Sequence, residues 1–291
     1  AMMTTIIGCI LNVILDPIFM YVIKLDTIGA ALATVISQGV SFGFVLFLLI
    51  KKSSIKLSFG SYDIKLMGKI LKLGFSPFII LATDSLILIL LNNSLKLYGK
   101  EKGDFYIEVA TIVQAFETLI TGPLLGISSG TQPILGYNYG AKNKKLIIKA
   151  EKQLIIFAII FTSICFCLSF LLAKPFAIMF IGIGKNNINM EIVNASYKYI
   201  IYYMIGIIPL SFQYIFVDGL TGLGQARYSI WLSLARKLVI FIPCLYLIPF
   251  IMNKNVEGCF LAEPIADVCS AIITTSCYLV ILPKILKPLN D

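Results

Sequence analysis

Eight apolar runs, at roughly 4–23, 28–50, 73–95, 109–137, 153–173, 199–220, 229–251 and 259–282, leave this chain little choice of solvent. A helix rises about 1.5 Å per residue, so about 20 apolar residues cross the hydrocarbon core of a bilayer. Only 13% of the 291 residues are charged, about half the share usual in a water-soluble domain. No alternation of period two marks barrel strands, so helices have to satisfy the backbone polar groups in lipid. The expected class is all-α integral membrane, with eight transmembrane helices.

Basic residues then set the orientation. With the 51–72 linker, the 4–5 and 6–7 loops and the C-terminus on one side, that side holds 16 Lys and Arg, including Arg236 and Lys237. The other side holds 8. The positive-inside rule makes the richer side cytoplasmic, which predicts a multi-pass plasma-membrane protein with a cytoplasmic C-terminus. On this reading every Lys and Arg lies outside the middle of a span, and the net charge of +9 is a topology signal. A nucleic-acid partner would need the bases gathered on a soluble module, and none is present; the expected surroundings are membrane lipid. The chain has no histidine, and its seven cysteines show no metal-ligand spacing, so no metal or cofactor is expected beyond a coupling sodium ion or proton. The first apolar run lacks a basic flank and meets Asp16-Pro17, unlike a cleavable signal.

One stretch stands out from the apolar background, TGPLLGISSGTQPILGYNYGAKNKK at 121–145. Gly122, Gly126 and Gly130 recur every four residues and so share one helical face, the pattern that lets membrane helices pack closely. Prolines recur at Pro17, Pro77, Pro123, Pro209, Pro243 and Pro264, and broken helices line cavities in transporters.

Six acids fall within spans or at their margins: Asp16, Asp84, Glu117, Asp218, Glu263 and Asp267. An acid at mid-membrane costs about 2.5–3.5 kcal/mol even on the lenient insertion scale. With no base inside a span to neutralise them, such groups take up a proton or bind a cation. Glu151 is sorted instead with the groups on the cytoplasmic side. Asn12 and Asp16 lie four apart on one helical face, with Thr34 on the next helix, and Glu263 and Asp267 are also four apart beside Pro264.

Residues 28–41, IGAALATVISQGVS, align without gaps to 257–270, EGCFLAEPIADVCS, with Gly29/Gly258, Leu32/Leu261, Ala33/Ala262, Ile36/Ile265 and Ser41/Ser270 identical. Thr34 then corresponds to Glu263 and Gln38 to Asp267. If the first two spans repeat the last two, the chain is the C-terminal two-thirds of a twelve-helix, two-lobe protein. The expected parts are 1–52, the last two helices of the N-terminal lobe; 53–72, a basic cytoplasmic linker; and 73–291, a six-helix C-terminal lobe. An eight-helix protein complete in itself is the competing account.

LNVILDPIF (11–19), IGAALATVISQ (28–38), GISSGTQPILGYNYGAKN (126–143), GLGQARYSIWLSLARK (222–237) and EPIADV (263–268) resemble the multidrug and toxic compound extrusion (MATE) transporters. The resemblance implies two six-helix lobes around a cavity and export of cationic amphipathic drugs by antiport with protons or sodium. It also implies a cation or proton site at Asn12, Asp16 and Thr34, whose usual partner on helix one has no counterpart. Gly74 and Asp84 match the spacing of a bend and an acid in sodium-coupled members, although Pro77 falls one place later than in their pattern. Two rivals are a related flippase for lipid-linked precursors, which would want bases in its cavity, and an inert fragment. FVDGLTGLG (216–224) superficially resembles an intramembrane aspartyl protease but lacks the second Asp, and no enzyme activity is expected.

Overall fold

A computed structural model describes residues 2–52, 63–182 and 189–287; at some further positions, 72–81 among them, it describes the backbone alone. The first half of the expected linker, 53–62, lies outside the described residues, and so do the side chains of the Gly74–Pro77 segment. Helices dominate, and no strand occurs among the described residues. The chain divides into two compact units, 1–69 and 70–291.

In the first unit, α1 (Met2–Pro17) passes through a π-helical stretch, Ile18–Val22, and packs against α2 (Asp26–Lys52). Pro17 has no N–H to give to the residue four back, which favours the wider π turn beginning beside it. Gly29 fits where a side chain would not, since a Cβ there would lie 2.8 Å from the Phe19 backbone.

The second unit holds α3 (Ile64–Gly99, mostly within it), α4 (Gly103–Gly140), α5 (Lys144–Gly182), α6 (Met190–Ile205), α7 (Ile207–Gly222), α8 (Ala226–Leu234), α9 (Ile242–Ile251) and α10 (Glu257–Leu286). The chain reverses between α3 and α4 at a 3-10 turn, Lys100–Lys102. There Gly103 packs on the Lys96 backbone, and Lys96 pairs with Asp104 at 3.4 Å. Asp84 and Glu117 lie at similar distances from this turn, one on each arm.

The helices α6 and α7 meet at a 48° bend at Gly206. Pro209 cannot donate to the Ile205 carbonyl, so a straight helix would lose a rung there. A second π stretch, Ala235–Phe241, joins α8 to α9, with Pro243 two residues beyond. Gly258 at the start of α10 repeats the role of Gly29. A Cβ on it would lie 2.6 Å from Pro249 and 3.0 Å from the Ile248 backbone, ten residues upstream as Phe19 is from Gly29. The aligned Ala33 and Ala262 are both fully buried.

By length and composition, six described helical stretches can cross a membrane, or seven with the bent pair. This departs from the expected eight because 82–140 registers as one 59-residue stretch, although the chain reverses inside it. The core between α3, α4, α5, α6, α7 and α10 is built on Leu91, Leu95, Val113, Phe116, Ile200, Leu210 and Phe260. Tyr199 stacks on Phe260 with ring centroids 3.8 Å apart.

Candidate functional site

A cavity of about 440 Å³ opens among α3, α4, α7, α8, the second π stretch and α10. Asp84, Glu117, Asp218 and Glu263 line it, together with Arg236 and Lys237. Asp267 stands behind Glu263, one turn further along α10, with 3% of its side chain exposed. A neighbouring cleft of about 320 Å³ is also lined by Asp84, Glu117 and Glu263, with Tyr203. Five of the expected site residues are thus brought together.

Their partners overturn one expectation. Arg236 and Lys237 are not loop residues; they lie inside the Ala226–Ile251 span, on the π stretch. Arg236 donates from Nε to Asp267 Oδ1 at 2.9 Å and from Nη2 to Glu263 Oε1 at 2.8 Å. Its side chain is 10% exposed, and its guanidinium lies 6.0 Å from the Tyr214 ring centre. Lys237 pairs with Asp84. Three of the acids therefore have basic partners. The sequence signal was two adjacent bases seven residues inside an apolar run, a place where charge persists only with partners.

The two pairs differ in strength. Truncating one partner of a buried ion pair costs about 3–5 kcal/mol, because the other charge is left uncompensated. An exposed pair contributes only about 0–1 kcal/mol. The Arg236 cluster is of the first kind. The Lys237–Asp84 pair tends to the second, since the Asp84 side chain is 51% exposed and that of Lys237 17%.

Asp218 has neutral partners. Ser128 Oγ donates to it at 2.5 Å and Gln132 Nε2 at 2.9 Å, both from the polar stretch of α4. Among the described residues no hydrogen bond or ion pair reaches the Glu117 carboxyl group; only its backbone carbonyl accepts, from Thr121 Oγ1 at 3.0 Å. Five carboxyl groups against two bases, each base already engaged, give a cavity suited to positive ligands.

Gly206 explains how Asp267 fits. A Cβ at Gly206 would lie 2.8 Å from Asp267 Oδ2 and 2.9 Å from the Pro264 backbone. The carboxyl group thus sits against the α6–α7 break, where the positive end of the α7 dipole favours an anion.

The face carrying Gly122, Gly126 and Gly130 corrects a second expectation: within the described residues a Cβ on any of them meets nothing within 4 Å. Close backbone approach occurs instead where α4 meets α7. A Cβ on Gly136 would lie 3.1 Å from the Gly222 carbonyl, and one on Gly222 3.0 Å from that of Gln132. The three glycines leave space beside Leu125, which lines the cavity.

Glu151, grouped by the sequence with the cytoplasmic side, is not a solvated loop acid. It is buried, takes a hydrogen bond from the Tyr278 hydroxyl through Oε2, and leaves Oε1 without a partner. On α7 its Oε1 faces Gly219, where a Cβ would lie 3.0 Å from it.

In the first unit the expected triad does converge. Asn12 Nδ2 lies 3.4 Å from Asp16 Oδ1 and 3.5 Å from Thr34 Oγ1, at the long end of hydrogen bonding, and Thr34 also bonds the Ala30 carbonyl at 3.0 Å.

The MatE family model matches residues 78–247, more than half of the chain and most of the helices around the cavity. The chain belongs to the MatE family. It is 26% identical over 278 residues to "Multidrug export protein MepA" of Staphylococcus saprophyticus, covering 94% of this chain and 59% of that one. To the protein of the same name from Staphylococcus haemolyticus it is 25% identical over 242 residues, covering 82% of this chain and 51% of that one. Among solved structures, "Crystal structure of MATE in complex with MaL6" superposes with a TM-score of 0.86 at 21% identity, covering 98% of this chain and 63% of the other. An outward-facing multidrug resistance MATE family transporter gives 0.84 at 21% identity, with coverages of 98% and 63%. These likenesses give the MatE chain its fold, that of a helical membrane transporter. The chain spans little more than half the length of these MepA relatives.

Proposed function

We propose that this MatE chain takes part in drug export across a membrane, binding cationic amphipathic molecules in the acidic cavity of its second unit and exchanging them for protons or sodium ions. One observation carries the reading: Glu117 and Asp218 face the same cavity with no fixed cation on either. An acid held at membrane depth by neutral groups alone is stabilised by a mobile positive species, whether a substrate, a metal cation or a proton. The names of the MepA relatives support multidrug export as the cargo class. Asn12, Asp16 and Thr34 supply a second group of oxygen-bearing side chains with which a coupling ion can interact.

In this reading 1–52 is the end of one lobe, 53–72 a linker and 73–291 the other lobe, with the C-terminus cytoplasmic. Moving Arg236 and Lys237 out of the loops leaves 14 basic residues on the proposed cytoplasmic side against 8, so the orientation argument keeps its sign. A flippase for pyrophosphate-bearing lipids is disfavoured, since both bases in the cavity are already held by carboxylates.

Ethidium transport by the chain in proteoliposomes, under an imposed pH or sodium gradient, tests the proposal. The wild type should move the dye against its gradient, and Glu117→Gln combined with Asp218→Asn should abolish the gradient-driven part. Undiminished transport by that double variant, or none by the wild type under either gradient, would overturn it.

A further inference from the structure

The two bases in the cavity are held in different ways. Arg236 is closed in: its guanidinium is shared by Glu263 and Asp267 and lies by the Tyr214 ring, and none of these side chains is more than one-fifth exposed in its pair. Lys237, one residue on, reaches an Asp84 carboxyl group that is half exposed and lines both clefts. An ion can approach Asp84 from the open side without first unpacking the lysine.

We propose that Lys237 is an exchangeable internal counter-ion, which occupies Asp84 until a monovalent organic cation displaces it. The inference rests on the cation-binding reading of this cavity and deepens it by naming the group that an incoming ligand must replace. Three features of the pair suit the role. Lysine carries a point charge on a flexible four-carbon stem, with no planar fork to fix its geometry, so the ammonium can swing aside while the backbone stays in place. Partly exposed pairs are weak, so opening this one is cheap beside breaking the Arg236 cluster. Exchange of one positive charge for another also leaves the balance at Asp84 unchanged, so that carboxylate never stands bare. A neutral ligand cannot make this exchange, and an anion is repelled by Asp84, Glu117 and Asp218. Lys237 would therefore favour positive cargo while lowering its apparent affinity, as any tethered competitor does.

Equilibrium dialysis of tetraphenylphosphonium against the 291-residue chain in detergent micelles tests this. Lys237→Gln should bind the cation about fivefold to tenfold more tightly than wild type, up to about 1.4 kcal/mol. Lys237→Arg, whose fork grips a carboxylate more firmly, should bind more weakly than wild type. Adding Asp84→Asn to Lys237→Gln should remove the gain. If Lys237→Gln binds no more tightly while Glu117→Gln still weakens binding, Lys237 is not a competitor and the acidic-cavity reading survives. A gain that persists without Asp84 would also overturn the counter-ion role, by tracing the effect to net charge alone. If no variant binds the cation, the inference falls together with the reading on which it rests.

Discussion

Arg236 shows how much one side chain can reorganise a cavity. It engages two carboxyl groups four residues apart on α10, where like charges would otherwise repel. Arg236→Met should therefore lower stability by about 3–5 kcal/mol, read as a lower melting temperature in detergent, because two buried acids lose their cation. Adding Glu263→Gln and Asp267→Asn should restore most of that loss, since the whole cluster is then uncharged. A single variant as stable as wild type would show that the cluster holds nothing together. The acids themselves were legible in the sequence, because charge in an apolar run has few explanations. Their partners were not: Arg236 and Asp267 are separated by 31 positions, and only the fold reveals which basic residue turns inward. The same holds for Glu151, within the Lys144–Lys152 basic segment in sequence but buried and bonded to Tyr278 in space.

Among the elements, prolines and glycines decide where helices break and where they touch. Both π stretches lie beside a proline, and the α6–α7 bend lies three residues before another. Those interruptions were readable, because a missing N–H has a local consequence. Contact faces were harder to read. The four-residue glycine period of α4 looks like a packing seam, yet the tight approach is made by Gly136 and Gly222, whose partner helices are set by tertiary placement. Gly222→Val should destabilise the protein by about 1–3 kcal/mol through overpacking against Gln132 and Leu135, whereas Gly126→Ala should be neutral or stabilising in the same melting experiment. Equal losses from both would contradict this packing. The 28–41/257–270 repeat was readable from a handful of identities, and the matching close approaches of Gly29 and Gly258 give it a physical content: each lets its helix start pack on the chain ten residues upstream.

For the molecule as a whole, hydropathy alone leads to a helical membrane protein, and family likeness supplies the transporter fold. The unevenness of charge within the second unit turns that fold into a testable mechanism. Arg236 holds Glu263 and Asp267 in a buried cluster and Lys237 covers Asp84 more loosely, while Glu117 and Asp218 have no base at all and are left for a ligand that comes and goes. Calorimetric titration of ethidium into the detergent-solubilised chain tests this division most directly, comparing wild type with the Glu117→Gln, Asp218→Asn double variant. The account predicts that the double variant, although it melts at a temperature close to wild type, binds at least about tenfold more weakly. Equal affinity in the two proteins would contradict it.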